Sequence, residues 1–476
     1  MTISNNNFPL KAANNTTPQN FSSIGNEMIT NYYEGNTQSL AFRKAMLLKL
    51  KQLIELFEND IIEALYEDLH KSAAEAYTTE IAFLYKEIDH TIAHLWEWMQ
   101  PETVNTPLIL QPGSSKIYKD ALGLVLIVAP WNYPFQLAIA PLIGAIAGGN
   151  CAIVKPSELA PNTADLVTKI INANFPKNYI RSVEGNGAEV IPAMLNNINF
   201  NHIFFTGSTN IGKQIAKIAA EKLVPVTLEL GGKSPCIVTN SANIQVAAKR
   251  IVWGKFTNAG QTCVAPDYIV VAEEKKEELL QAIKKNIQIF YGDNSQQSAD
   301  YGRIIHKRHF QNLKHLITES TILMGGKMDE GDLWIEPTIV SATWNSKIME
   351  DEIFGPILPI ITFKHIAEVY LQIKQLPQPL SAYIFTESNQ EKNYFIQNLS
   401  FGGGCINNTL MHLGNPDLPF GGVGFSGIGQ YHGKYSFDAF TRPKAIYDSA
   451  TWVDPSIKYP PYAKKFTYLK MMLKNL

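Results

Sequence analysis

From about residue 38 to residue 100 apolar positions recur at spacings of three and four: Leu47, Leu50, Leu53, Ile54, Phe57, Ile61, Ile62 and Leu65, with Lys and Glu between them. That period predicts amphipathic helices, each turning one stripe toward a core. The pattern then changes. Residues 106 to 120 alternate around Pro112-Gly113 and predict a β-hairpin leaving the helical region. Beyond it, short apolar runs alternate with helical segments. Gly123 to Ala129 reads as a strand, 136 to 147 as an apolar helix, Asn150 to Lys155 and Asn201 to Thr206 as strands, with a helix from Ile211. Leu223 to Glu229 is another β-rich run that breaks on Gly231-Gly232, and Tyr268 to Ala272 precedes a helix from Glu273. Strands that are apolar throughout, alternating with helices, predict parallel sheets covered on both faces. Ligands of such sheets bind beyond the carboxyl ends of the strands, so the polar residues after each run matter most.

Length and composition narrow the class. A chain of 476 residues is too long for one ordinary core and implies two large domains or a doubly wound pair. A 45% hydrophobic fraction and a formal charge of −2 describe a soluble globular protein with no bias toward nucleic acid. Four cysteines without CxxC spacing imply neither a zinc site nor a secreted disulfide scaffold, and point to a reducing, cytoplasmic setting. The N-terminus reads as neither a secretory signal nor a transit peptide, and residues 1–24, rich in Asn, Thr and Ser, as a poorly ordered polar arm. The most apolar window, Ala121 to Ala147, is broken by Asn132, Gln136 and three prolines, and the chain end from Tyr459 is short and Lys-rich, so no stable membrane anchor is expected. His90 and His94 lie four apart without a third ligand nearby, and no metal site is predicted.

The strand ends carry the candidate chemistry. Asn132 is clamped between Pro130 and Pro134, Lys155 and Glu158 follow a strand, and Thr206-Gly-Ser-Thr-Asn-Ile-Gly212 is a small-residue turn that can open a helix toward a pyrophosphate. That turn is not GxGxxG, and Gln214 stands where a phosphate loop needs Ser or Thr. Glu229 ends its strand at a glycine pair, where it reads as a salt-bridged carboxylate or as a partly desolvated base. Cys263 follows Gly260 and Gln261 in a small-residue loop that substrate can reach, whereas Cys151, Cys236 and Cys405 sit in apolar or Gly-rich runs and read as core residues. His412 reads as structural.

Six motifs in order, Pro130-Trp-Asn-Tyr-Pro, Lys155-Pro-Ser-Glu, Phe205-Thr-Gly-Ser-Thr-x-Ile-Gly, Leu228-Glu-Leu-Gly-Gly-Lys-Ser-Pro, Gly260-Gln-Thr-Cys and Glu352-Ile-Phe-Gly-Pro, resemble the aldehyde dehydrogenase superfamily from about Gln38 to Lys444. The segment from Leu418 through Gly-Gly-Val-Gly to Phe437 is similar to the class 3 branch. The resemblance implies an α/β fold of two Rossmann-like parallel-sheet domains with a small β bridging and oligomerisation element. The expected boundaries are 25–101 with 122–229 for the dinucleotide-binding domain, 230–436 for the catalytic domain, and 102–121 with 437–476 for the bridging segments. It also implies oxidation of an aldehyde to a carboxylic acid: Cys263 as nucleophile, the Cys263 N–H and Asn132 amide holding the oxyanion, and Glu229 activating the water that hydrolyses a thioester. The cofactor would be NAD, with NADP as the alternative: Trp131 at the cofactor site, Lys155 and Glu158 at the adenosine ribose, Gly207, Ser208 and Gly212 around the pyrophosphate, and Glu352 with Phe354 at the nicotinamide end. A homodimer is the implied assembly. The rival readings are a CoA-acylating dehydrogenase, a P-loop-like ATP phosphotransferase and a non-enzymatic relative, the last of which would be expected to have lost Cys263, Glu229 or Asn132.

Overall fold

The computed structural model describes residues 20–474. The chain divides into two compact units, one made of the described residues through Trp98 together with Ala121–Thr441, the other of Met99–Asp120 together with the described residues from Arg442.

The larger unit contains two principal sheets, as an α/β chain with two Rossmann-like halves requires. The first runs in the order Gly427–Ile428, Val226–Glu229, His202–Thr206, Leu124–Val128, Cys151–Lys155, Ile180–Ser182. All of its pairings are parallel except that of Gly427–Ile428, which lies antiparallel on Val226–Glu229 with Gly427 opposite Glu229. Three of these strands are buried along their whole length, which is why the sequence shows unbroken apolar runs and not alternation. The second sheet is ordered Thr321–Met324, Thr338–Ser341, Ile357–Phe363, Tyr268–Ala272, Pro235–Val238, Ser381–Phe385, Gly403–Ile406, and only its Thr321–Met324 edge is antiparallel.

Helix Gln136–Gly148 is apolar all round because it touches the strand Cys151–Lys155 and the helices Leu40–Leu56, Ala82–Trp98 and Gly433–Ala439. It stops at Gly149, whose φ of 85° is the left-handed cap a glycine tolerates best. Helix Thr209–Glu221 starts two residues before the expected Ile211, since the Ser208 hydroxyl accepts from the Ile211 N–H and caps it. Behind the strand Tyr268–Ala272 a 3-10 turn, Glu273–Lys275, precedes the helix Lys276–Tyr291.

Three expectations change. Residues 21–24, assigned to the polar arm, begin helix Phe21–Tyr33, because Asn20 caps it and Ile24 and Met28 are buried; residues 1–19 lie outside the described residues. The hairpin does not turn at Pro112-Gly113. Its strands are Glu102–Val104 and Gly113–Ala121, paired with Glu102 opposite Ile117, and the 3-10 turn Leu108–Leu110 lies in the connection. Finally, residues 427–428 extend the first sheet, and the smaller unit resumes at Arg442, not at residue 437, because Ser436 and Phe440 pack on the bare backbone of Gly144. In the smaller unit the strands Glu102–Val104, Gly113–Ala121 and Thr441–Ser449 form a three-stranded sheet.

Candidate active site

Cys263 is presented by a backbone held from several directions. Helix Ile244–Phe256 ends in a left-handed turn through Asn258 (φ 53°), Ala259 (φ 50°) and Gly260 (φ 76°). A Cβ at Gly260 would stand 2.3 Å from the Gly355 carbonyl oxygen, so that backbone approach requires glycine. The buried Gln261 amide donates to the carbonyls of Asn258 (3.1 Å) and Arg303 (2.9 Å) and accepts from the Ile305 N–H (3.0 Å). Thr262 shares a hydrogen bond with the Tyr133 hydroxyl at 2.7 Å, and the Tyr383 hydroxyl donates to the Val264 carbonyl at 2.6 Å. Cys263 keeps part of its surface open while protein crowds it elsewhere. Burial, and then the nearby Glu352 and Glu229 carboxylates, push its thiol pKa up.

Glu229 is the last residue of its strand, where the Gly207 N–H donates to its carbonyl at 3.0 Å. Its side chain is buried and neither carboxylate oxygen has a hydrogen-bond partner, so burial raises its pKa well above the ordinary value. Glu352 is pushed up to about 8, again by burial first and then by the Asp267 charge. A Cβ at Gly231 would stand 1.9 Å from a Glu352 carboxylate oxygen, so this carboxylate lies directly on the glycine pair.

The Asn132 side-chain amide donates to the Gln261 carbonyl at 3.1 Å, and the Asn132 backbone carbonyl accepts from the Asn258 side-chain amide at 2.8 Å. Trp131 packs edge-on against Phe354 with centroids 5.2 Å apart, and Phe354 adopts a φ of 53°. The Phe354 carbonyl is bonded to His309 at 2.7 Å, and burial lowers the imidazole pKa to about 4.

These groups converge on one cavity of about 520 Å³. Of the eleven residues singled out from the sequence, eight line it: Trp131, Asn132, Gly207, Ser208, Glu229, Cys263, Glu352 and Phe354. Three do not. Lys155 and Glu158 form an ion pair at the end of a different strand, where the Gly187 N–H donates to Glu158 at 2.7 Å. Gly212 does not face the cavity because its missing side chain makes room for Leu230, 2.6 Å from where its Cβ would be. Sequence reasoning missed His309 and Lys233, which also line the cavity. Lys233 stands inside the Leu-Gly-Gly-Lys motif and reaches Asp267 at 2.5 Å, so its signal was present; nothing in the helical spacing around His309 marks it.

Residues 29–446 match the model of the aldehyde dehydrogenase family. The chain belongs to that family. Among its relatives it is 51% identical over 442 residues to 4,4'-diaponeurosporen-aldehyde dehydrogenase of Staphylococcus aureus, covering 92% of this chain and 96% of the relative. It is 40% identical to aldehyde dehydrogenase family 3 member B1 of Mus musculus, covering 91% and 93%. Such family 3 relatives place this aldehyde dehydrogenase in the class 3-like branch. The solved substrate-bound state of Staphylococcus aureus AldH superposes with a TM-score of 0.91 at 49% identity, covering 95% and 99% of the two chains. An NAD-dependent aldehyde dehydrogenase structure from Sinorhizobium meliloti superposes at 0.84 with 26% identity, covering 92% and 88%. Among the described residues no helix is long and apolar enough to cross a membrane.

Proposed function

We propose that this aldehyde dehydrogenase converts its substrate to a carboxylic acid through a covalent adduct on Cys263, with NAD as acceptor and NADP as the alternative. One observation carries the reading: a thiol open to the cavity and a buried carboxylate without a hydrogen-bond partner line the same space.

The cavity residues fit a dinucleotide. Gly207 and Ser208 bring the N-terminus of a thirteen-residue helix to one part of the wall, a setting that favours phosphate, and Trp131, Phe354 and Glu352 offer rings and a carboxylate to a nicotinamide riboside. Glu158, paired with Lys155, favours NAD because a carboxylate accepts from a free 2′-hydroxyl and repels a 2′-phosphate. The NAD-dependent relative from Sinorhizobium meliloti supports the same choice. When bound, the oxidised nicotinamide supplies the hydride acceptor.

The chain's own residues do the rest. Cys263 releases its proton to solvent water and its sulfur bonds to the aldehyde carbon, sending the carbonyl electron pair onto oxygen. The Asn132 amide and the Cys263 N–H donate to that oxyanion; one preorganised donor of this kind contributes about 2.7–4 kcal/mol. Loss of hydride from the carbon leaves a thioester on Cys263. Glu229 takes a proton from water, the hydroxide adds to the thioester, the C–S bond breaks so that the acid departs, and the proton held by Glu229 restores the thiol. The family 3 relatives further lead us to propose a cytoplasmic homodimer, supported by a strand, Thr441–Ser449, at the edge of its sheet.

The test follows NADH and NADPH formation over aliphatic, aromatic and polyene aldehydes, beginning with 4,4'-diaponeurosporen-aldehyde, the compound in the name of the 51%-identical relative. Cys263→Ala is expected to abolish free-acid formation; normal oxidation by that variant, or product appearing only as acyl-CoA, overturns the reading. Light scattering checks the dimer.

A further inference from the structure

Lys71 and Glu80 form an ion pair in which both side chains are wholly shielded from solvent. What this pair holds is unusual for charges inside a helical layer. Glu80 uses its second oxygen to accept from the backbone N–H groups of Phe135 (3.0 Å) and Gln136 (3.1 Å). Lys71 donates to the Asn132 carbonyl at 2.9 Å and stands 4.0 Å from the centre of the Tyr133 ring, whose hydroxyl bonds Thr262. The same short segment supplies Glu75, which accepts from the Asn258 N–H at 2.7 Å. Asn258 in turn donates to the carbonyls of Asn132 (2.8 Å) and Gln261 (3.0 Å). Residues 71–80 thus touch the chain on both the Asn132 side and the Cys263 side.

A buried ion pair is weak evidence for stability, because two apolar side chains of similar volume do as well or better. A methyl group cannot grip a carbonyl or two N–H groups, however. The charges therefore answer to what they orient. Glu80 also sits in a five-residue π-turn, Tyr77–Ile81, a local widening of the helix that recurs at functional sites.

We propose that Lys71 and Glu80 are positioning residues for the Asn132 amide, gripping the turn that carries it at Asn132 and at Phe135–Gln136. The proposal rests on the reading of Asn132 as an oxyanion donor. Without the pair that turn would keep its chemistry but lose its fixed aim, and misaimed donors give little transition-state stabilisation.

The test replaces both charges together, as Lys71→Met/Glu80→Gln, so that neither is left buried alone. It compares this variant with Asn132→Ala and with the triple variant. The readout is the rate of p-nitrophenyl acetate hydrolysis per titratable Cys263, a reaction that builds an oxyanion on the thiol without any dinucleotide, alongside kcat and KM for an aldehyde. Asn132→Ala is expected to lower the ester rate about 100-fold and the paired variant at least about tenfold, in kcat more than in KM. The triple variant is expected to fall no further than Asn132→Ala, within about threefold, because both changes remove one interaction. Unchanged hydrolysis by the paired variant, or losses that multiply in the triple variant, overturns the positioning role while leaving the oxyanion reading intact. Unchanged hydrolysis by Asn132→Ala overturns both. Glu80→Asp retracts the carboxylate yet keeps both charges; if the paired variant does not accumulate, the same comparison with Asn132→Ala is made with this milder change.

Discussion

Replacing Glu229 by Gln keeps the side chain's shape and removes only its ability to ionise. The carboxylate is buried, both oxygens lack partners, and burial alone accounts for its raised pKa. Two consequences follow, one kinetic and one thermodynamic. If Glu229 activates the hydrolytic water, its removal is expected to slow deacylation by about 10²–10⁴-fold and leave Cys263 free to be acylated. Rapid mixing should then record a burst of about one NADH per active site followed by a stalled steady state. The thermodynamic sign is fixed by the direction of the shift. A carboxyl whose native pKa lies above its unfolded value near 4.3 contributes its stability below that value and loses it as pH rises through the native pKa. Glu229→Gln is therefore expected to match the wild type in denaturation midpoint near pH 4 and to exceed it progressively toward pH 8. Leaving a charged group buried without partners costs upwards of about 1–3 kcal/mol, which sets the size of the gap at the alkaline end. Undiminished steady turnover would refute the kinetic assignment. A midpoint difference independent of pH would refute the electrostatic one.

Other substitutions probe the walls of the cavity. In Gly231→Ala the new methyl would stand 1.9 Å from a Glu352 oxygen against an ordinary contact of 3.4 Å, so the carboxylate must move about 1.5 Å. Calorimetry is expected to show NAD binding weakened about tenfold with little change in melting temperature, since a side chain can yield where backbone cannot. In Gly260→Ala the obstruction is the Gly355 backbone at 2.3 Å and φ is 76°, so an unfolding loss of about 1–3 kcal/mol or more and a fall in titratable Cys263 are expected. Because burial and the Glu352 and Glu229 charges raise the Cys263 pKa, alkylation of the cofactor-free enzyme by iodoacetamide should keep climbing through pH 9. Glu352→Gln should speed it above about pH 8, where the wild-type carboxyl ionises, and change it little well below; a plateau below pH 8 in the wild type would contradict the assignment.

The strands were legible because each is a short apolar run buried on both faces, as Leu124–Val128 is, and the helix Gln136–Gly148 because it is apolar on every side. Glu229 and Cys263 were legible because glycines mark where the backbone opens beside them, and Gly260 and Gly231 do meet neighbouring groups too closely for any Cβ. Short partners were not. Gly427–Ile428 contributes two residues from a glycine-rich stretch with no period, and becomes a strand only because the edge of Val226–Glu229 is there to receive it. Lys71 and Glu80 read as polar positions between apolar stripes, since a spacing of nine is not that of neighbours on one helix face and only the π-turn and the 132–136 turn bring their charges together. Gly212 carried a true signal with a different cause: the demand for a bare backbone came from Leu230.

On the mechanism proposed above, the crowding of acids in the cavity also bears on the order of the steps. Cys263 is held back from ionising by burial and by two carboxylates, and coupling of this kind is mutual: a thiolate at 263 opposes a charge at 229 as strongly as the reverse. While sulfur carries the negative charge, ionisation of Glu229 is therefore opposed further. Once the sulfur becomes a thioester it is neutral and that opposition disappears, leaving burial as the cause that holds the Glu229 pKa up. On that proposal, acylation removes one obstacle to ionising Glu229 before the hydrolytic step. The same logic requires Glu352→Gln to lower the apparent pKa of the acylation step, because this replacement removes a charge that opposes the thiolate.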